Sequence, residues 1–225
     1  MLSTEEFAAW SKKVVLFLHN TSRVADEPYP NLLFEKGGIG FPTMSFLADD
    51  GTLLKQVGHV TPVAQLEQAY QDLLAWQKLR ATVEAGEGGS AAELELFRTE
   101  LAMGNRPYAE MAERRAKLPI ADADAEKVDQ QLVNLQFGEI LRDTPRDQQH
   151  VGGEKFVAMF RAGRLPDTST ETSFWQYIFA HAAREKDTAL FEEVLDHLKK
   201  AKADDPRLAR YLKQLEAQLE KLKGG

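Results

Sequence analysis

Apolar positions change rhythm along this chain, from short unbroken or alternating runs near its start to three- and four-residue spacings farther on. Ser3-Thr4-Glu5-Glu6 has capping-box spacing and predicts a helix start, with Phe7 and Trp10 on the inner face and Lys12-Lys13 at the close. Val14-Val15-Leu16-Phe17-Leu18 is continuous, apolar and rich in β-branched residues, the pattern of a buried strand. His19-Asn20-Thr21-Ser22 ends it, and Pro28 and Pro30 break residues 23–30 into a loop before a short helix at 31–36. Phe41-Pro42 marks a bend. Residues 43–47 and 52–57 flank Asp49-Asp50-Gly51, as strands of an antiparallel hairpin do. Thr61-Pro62 then opens a long helix whose expected inner stripe is Val63, Leu66, Ala69, Tyr70, Leu73 and Leu74.

Past Gly86-Glu87-Gly88-Gly89-Ser90 the pattern is helical only, which places the domains at 1–85 and 91–225 with 86–90 as linker. Helices are expected near 91–103, 107–117, 122–142, 153–162, 171–185, 187–202 and 205–222. The breaks between them fall at Gly104-Asn105, Pro119, Thr144-Pro145, Gly152-Gly153, Pro166 and Pro206. Long helices with short turns imply a helical bundle or a short helical-repeat solenoid. Leu208, Leu212, Leu215, Leu219 and Leu222 form a stripe suited to capping that domain. Phe174, Tyr177 and Ile178 share one helix face and Trp175 and Phe179 another, as in a helix buried between two layers.

Charge narrows the partner classes. A net charge of -7, with basic pairs such as Arg114-Arg115 and Lys199-Lys200 set among acidic residues as solvated faces, excludes a general nucleic-acid or anionic-membrane binder. The most apolar run is too short to cross a bilayer, and Met1-Leu2-Ser3-Thr4 carries no targeting pattern, so a cytoplasmic protein is expected. Met1 close to a helix cap reads as a native start.

The run from Pro30 to Leu54, with Gly40-Phe41-Pro42-Thr43 at its centre, resembles the second half of a thioredoxin domain. The resemblance covers residues 3–76. It implies an α/β N-terminal thioredoxin-like partial domain, a cis peptide at Phe41-Pro42, and a rim that engages an extended peptide. The strand that leads into the family's Cys-x-x-Cys helix has no counterpart, and the chain contains no cysteine, so it cannot form a dithiol of its own. The missing strand leaves three expectations: residues 14–18 close up against 43–47, a second subunit completes the sheet in a homodimer, or the chain is one piece of a longer polypeptide, ranked last.

Candidate chemistry is sparse. His19, Asn20 and Thr21 end one predicted strand, Phe41, Pro42 and Thr43 enter the next, and His59 follows the last, which makes these seven the candidate binding residues for a protein or extended peptide. No catalytic residue, metal ligand set or cofactor motif is assigned: His150, His181 and His197 are far apart in sequence, and Gly37-Gly38-Ile39-Gly40 precedes a strand instead of opening a helix. Asp122, Asp124, Glu126, Asp204 and Asp205 stand near helix starts, where capping and the helix dipole account for them. The preferred expectation is a noncatalytic binding, scaffold or assembly module. The alternative is a thiol-disulfide oxidoreductase component whose cysteines lie upstream or in a partner.

Overall fold

The computed structural model describes residues 2–19, 29, 32–36, 38, 42–58, 62–145, 148–167, 171–201 and 209–224. Over these residues the chain is mainly α-helical with a small two-stranded antiparallel sheet, and it divides into two compact units, Met1–Leu132 and Val133–Gly225.

In the first unit α1 (Glu5–Trp10) begins where the sequence places it: the Thr4 hydroxyl accepts from the Phe7 N–H at 3.2 Å. A single 3-10 turn, Ser11–Lys13, follows. A short helix, α2 (Leu32–Glu35), precedes the hairpin of β1 (Met44–Leu47) and β2 (Leu53–Gly58). Gly51 turns the hairpin with φ of 79°, and an Asp50 carboxylate oxygen accepts from the Thr52 N–H at 2.8 Å, fixing the turn locally. The long helix α3 (Val63–Glu84) packs on this hairpin and on α1. Phe7, Trp10, Val63 and Leu66 form one small core, joined by Val14, Met44, Phe46, Val57 and Tyr70. Leu73, Trp76 and Leu96 form a second. The α3 stripe is therefore Val63, Leu66, Ala69, Leu73 and Trp76, whereas Leu74, expected inside, is 42% exposed because its position on the helical wheel turns past the packed face.

Residues 86–88 make the turn from α3 into α4 (Gly89–Met103), so Gly89 and Ser90 of the expected linker 86–90 are helical, and the two helices pack in one unit. After α5 (Tyr108–Lys117) comes α6 (Asp122–Asp143), within which the division between units falls.

The second unit holds the rest of α6 with α7 (Gln149–Arg161), α8 (Glu171–Arg184), α9 (Thr188–Ala201) and α10 (Ala209–Lys223). Its core is continuous. Phe137 stacks on Phe156 at 5.2 Å between ring centroids, Phe156 meets Phe174 at 5.2 Å, and Phe179 meets Phe191 at 4.6 Å. Leu215 and Leu219 of α10 are buried against this cluster and Leu212 and Leu222 pack on it, so these leucines cap the helical unit, while Leu208, with Asp204 and Asp205, lies outside the described residues. Both aromatic faces of α8 are covered, as the sequence implies, although the buried Trp175 indole N–H has no acceptor among the described residues. Gly152-Gly153, expected as a break, lies inside α7 and is buried. A Cβ on Gly153 would sit 2.4 Å from the Tyr177 carbonyl oxygen and 2.5 Å from the His181 Cβ, so the glycine pair serves close helix approach here, not termination.

The principal correction concerns residues 14–18. Val14 is extended and half-buried, but the following residues join no strand, and the sheet among the described residues contains β1 and β2 alone. Closure of this run against 43–47 is not what the chain does. A strand needs a neighbour to satisfy its backbone groups, and β1 takes β2 as the one partner it has among those residues.

Candidate functional site

The candidate site grows out of the anchor formed by α1 and α3. Phe7 and Trp10, one turn apart on α1, bury against Val63 and Leu66, and Trp10 meets Phe46 of β1 edge-on at 6.2 Å. Polar contacts lock the same junction. Glu67 on α3 accepts from the Trp10 indole N–H at 2.9 Å, from Lys13 at 2.7 Å and from the Gln71 amide at 2.9 Å. Hydrogen bonds from Lys13 and then Gln71 hold the Glu67 carboxyl below the ordinary carboxylate range. Lys55 of β2 similarly reaches Asp72 of α3 at 2.9 Å. The chain therefore leaves the 3-10 turn from a fixed point, with Val14 still packed on the small core.

Immediately beyond, the surface turns apolar. Val15, Leu16, Phe17 and Leu18 are 96%, 59%, 64% and 88% exposed. Single exposed hydrophobics are ordinary, but four in succession make a contiguous apolar surface. Burying one such side chain contributes about 2 kcal/mol, so the run holds a large unused association energy.

Of the seven residues expected to converge on a rim, three fall within the described structure. His19 closes the run, with its Nε2 2.9 Å from the Tyr29 carbonyl oxygen. Pro42 is exposed and Thr43 half-buried, and they lead directly into β1. Asn20, Thr21, Phe41 and His59 lie outside the described residues, and with Phe41 so does the Phe41-Pro42 peptide. The apolar run itself is the surface that the sequence pattern misassigned. Its signal was present, since an unbroken apolar run needs cover on both faces and the sequence supplied too few strands beside it.

A second polar cluster was not foreseen. Glu100 on α4 is buried at 2% exposure and accepts from the Trp76 indole N–H at 3.3 Å and from Arg106 at 3.1 Å, while Arg114 donates to its other oxygen. Burial pushes the Glu100 carboxyl up, but the hydrogen bonds and charges of Arg114 and Arg106 outweigh it and hold the group below its ordinary value. Arg114 also lies over the Phe97 ring at 5.7 Å. The pair read as a solvated face is thus tied down: Arg114 joins α5 to α4, and Arg115 pairs with Asp129 at 2.8 Å. The clue was a glutamate three residues after Phe97, on the apolar stripe of α4. All Glu100 contacts are internal, which makes the cluster a structural clamp.

Histidines distant in sequence do meet in one place. His181 Nδ1 is 3.0 Å from the His150 carbonyl oxygen, and Arg184 donates to His150 Nδ1 at 3.1 Å. His197 packs against Phe160 and Trp175. Among the described residues no group of three or more His, Asp or Glu side chains is arranged to hold a metal ion, and no helix is long and apolar enough to cross a membrane. Compared with protein-family models, curated proteins and solved structures, the chain finds no match.

Proposed function

We propose that the chain is a noncatalytic binding or assembly module, with a thioredoxin-like partial domain in its first unit and a helical unit after it. One observation carries this reading: four consecutive apolar side chains stand exposed on a segment whose root is anchored by Phe7, Trp10 and Lys13. A surface so apolar is held ready for another polypeptide, and a chain without cysteine does its work by recognition, not by disulfide exchange. The proposed binding residues beside the run in sequence and at the entry to β1 are His19, Asn20, Thr21, Phe41, Pro42, Thr43 and His59, of which the described structure includes His19, Pro42 and Thr43.

A photo-crosslinking amino acid in place of Phe17, in the full chain within its native cell extract, tests the reading. Adducts to polypeptide, lost when Leu16→Asp is added, are the expected result. Absence of any polypeptide adduct overturns the binding reading, as does robust reduction of an insulin disulfide by the purified chain in dithiothreitol-driven assays corrected for the reductant alone.

A further inference from the structure

We infer that residues 15–18 form an exchange strand whose partner is the β1 edge of a second copy of this chain; this names the partner of the surface proposed above and rests on that reading. The chain carries both halves of an interface. Residues 15–18 are a strand sequence without a sheet, and β1 is a sheet strand bonded to β2 on one side with no strand on its other side among the described residues. A two-fold axis sets each run beside the other copy's β1 and makes two identical contacts. Such an arrangement closes on itself as a dimer and leaves no further run to propagate a fibre.

Area and charge fit this occupant. The four exposed side chains offer about 500 Å² per copy, so two copies remove about 1,000 Å² before the surfaces they cover are counted, which brings the total into the 1,200–2,000 Å² class of stable interfaces. Val15-Leu16-Phe17-Leu18 and Met44-Ser45-Phe46-Leu47 carry no charge, so two chains of net charge -7 meet through the segments where repulsion between them is least. Added salt screens the remaining repulsion and strengthens the dimer, the opposite of an interface built on ion pairs.

Sedimentation equilibrium of the full chain over a wide concentration range reads the association directly. The expected result is a monomer–dimer equilibrium that tightens with salt and weakens by about tenfold or more in Leu16→Asp and Phe17→Asp. Both residues are exposed in the single chain, so the circular dichroism spectrum of the monomer stays unchanged. Because the native sequence has no cysteine, mixing Leu16→Cys chains with Ser45→Cys or Phe46→Cys chains samples both faces of β1. A disulfide between unlike chains supports exchange, whereas one formed by Leu16→Cys chains alone overturns it. A monomer at every concentration, or a dimer indifferent to both aspartates, also overturns the second-copy assignment. If that monomer still gives Phe17 adducts to other polypeptides, the binding reading stands with a different partner; without adducts both fall.

Discussion

The second unit buries its large apolar side chains in one continuous cluster running from Phe137 through Phe156, Phe174 and Phe191 to Leu219, whereas the first divides them among small clusters and leaves residues 15–18 outside. The same residue types thus have opposite roles in the two units. Helices satisfy their backbone internally, so α7 to α10 need only turn their stripes toward one another. A strand satisfies its backbone only through a neighbour, so an apolar strand sequence without one is left as a surface.

Substituting one phenylalanine from each setting puts this contrast at greatest risk. Phe156→Ala, at a fully buried position, is expected to destabilise the second unit by about 4 kcal/mol in urea unfolding. Close behind comes Gly153→Ala, whose new methyl meets the Tyr177 carbonyl and the His181 side chain. A cost of about 3 kcal/mol is expected despite the better helix propensity of alanine, and a stabilised variant would show that α7 and α8 have room between them.

Glu100→Gln sharpens the comparison from the other side, because in the first unit a buried carboxylate clamp sits among the apolar residues. It should cost about 2 kcal/mol by leaving Arg106 and Arg114 without their carboxylate. The pH dependence has a definite sign. The folded Glu100 carboxyl lies below the unfolded value of 4.5, so its contribution is complete above that pH and is lost as pH falls from there through the depressed folded value. Stability curves of the native chain and Glu100→Gln should therefore converge in acid. The smallest effect belongs to Phe17→Ala: at concentrations where the chain is monomeric its unfolding free energy should change by less than about 0.5 kcal/mol. A loss near that of Phe156→Ala would mean that the run is packed, and would erase the contrast.

Helix positions were legible wherever periodicity and breakers agreed, as at Thr4 before α1, Gly104 after α4 and the leucines of α10. Gly152-Gly153 misled because a glycine pair that ends one helix permits close packing in another, and only Tyr177 across the contact distinguishes the two uses. Glu100 was hidden because its partners Trp76, Arg106 and Arg114 come from both sides of it in sequence. For residues 14–18 the pattern identified the right chemistry and the wrong setting: composition signals that a segment seeks cover, but not whether its own chain provides it.

The buried indole of Trp175, without an acceptor among the described residues, gives the second unit an optical signature of its own. Trp10 and Trp76 donate to carboxylates in the first unit, while Trp175 is the one tryptophan after residue 132 and sits among Phe160, Phe174 and His197. A buried indole in apolar surroundings emits toward the blue. A chain in which Trp10 and Trp76 are replaced by phenylalanine would therefore glow at short wavelength while residues 133–225 are folded and shift to the red when they open, reporting on that unit alone.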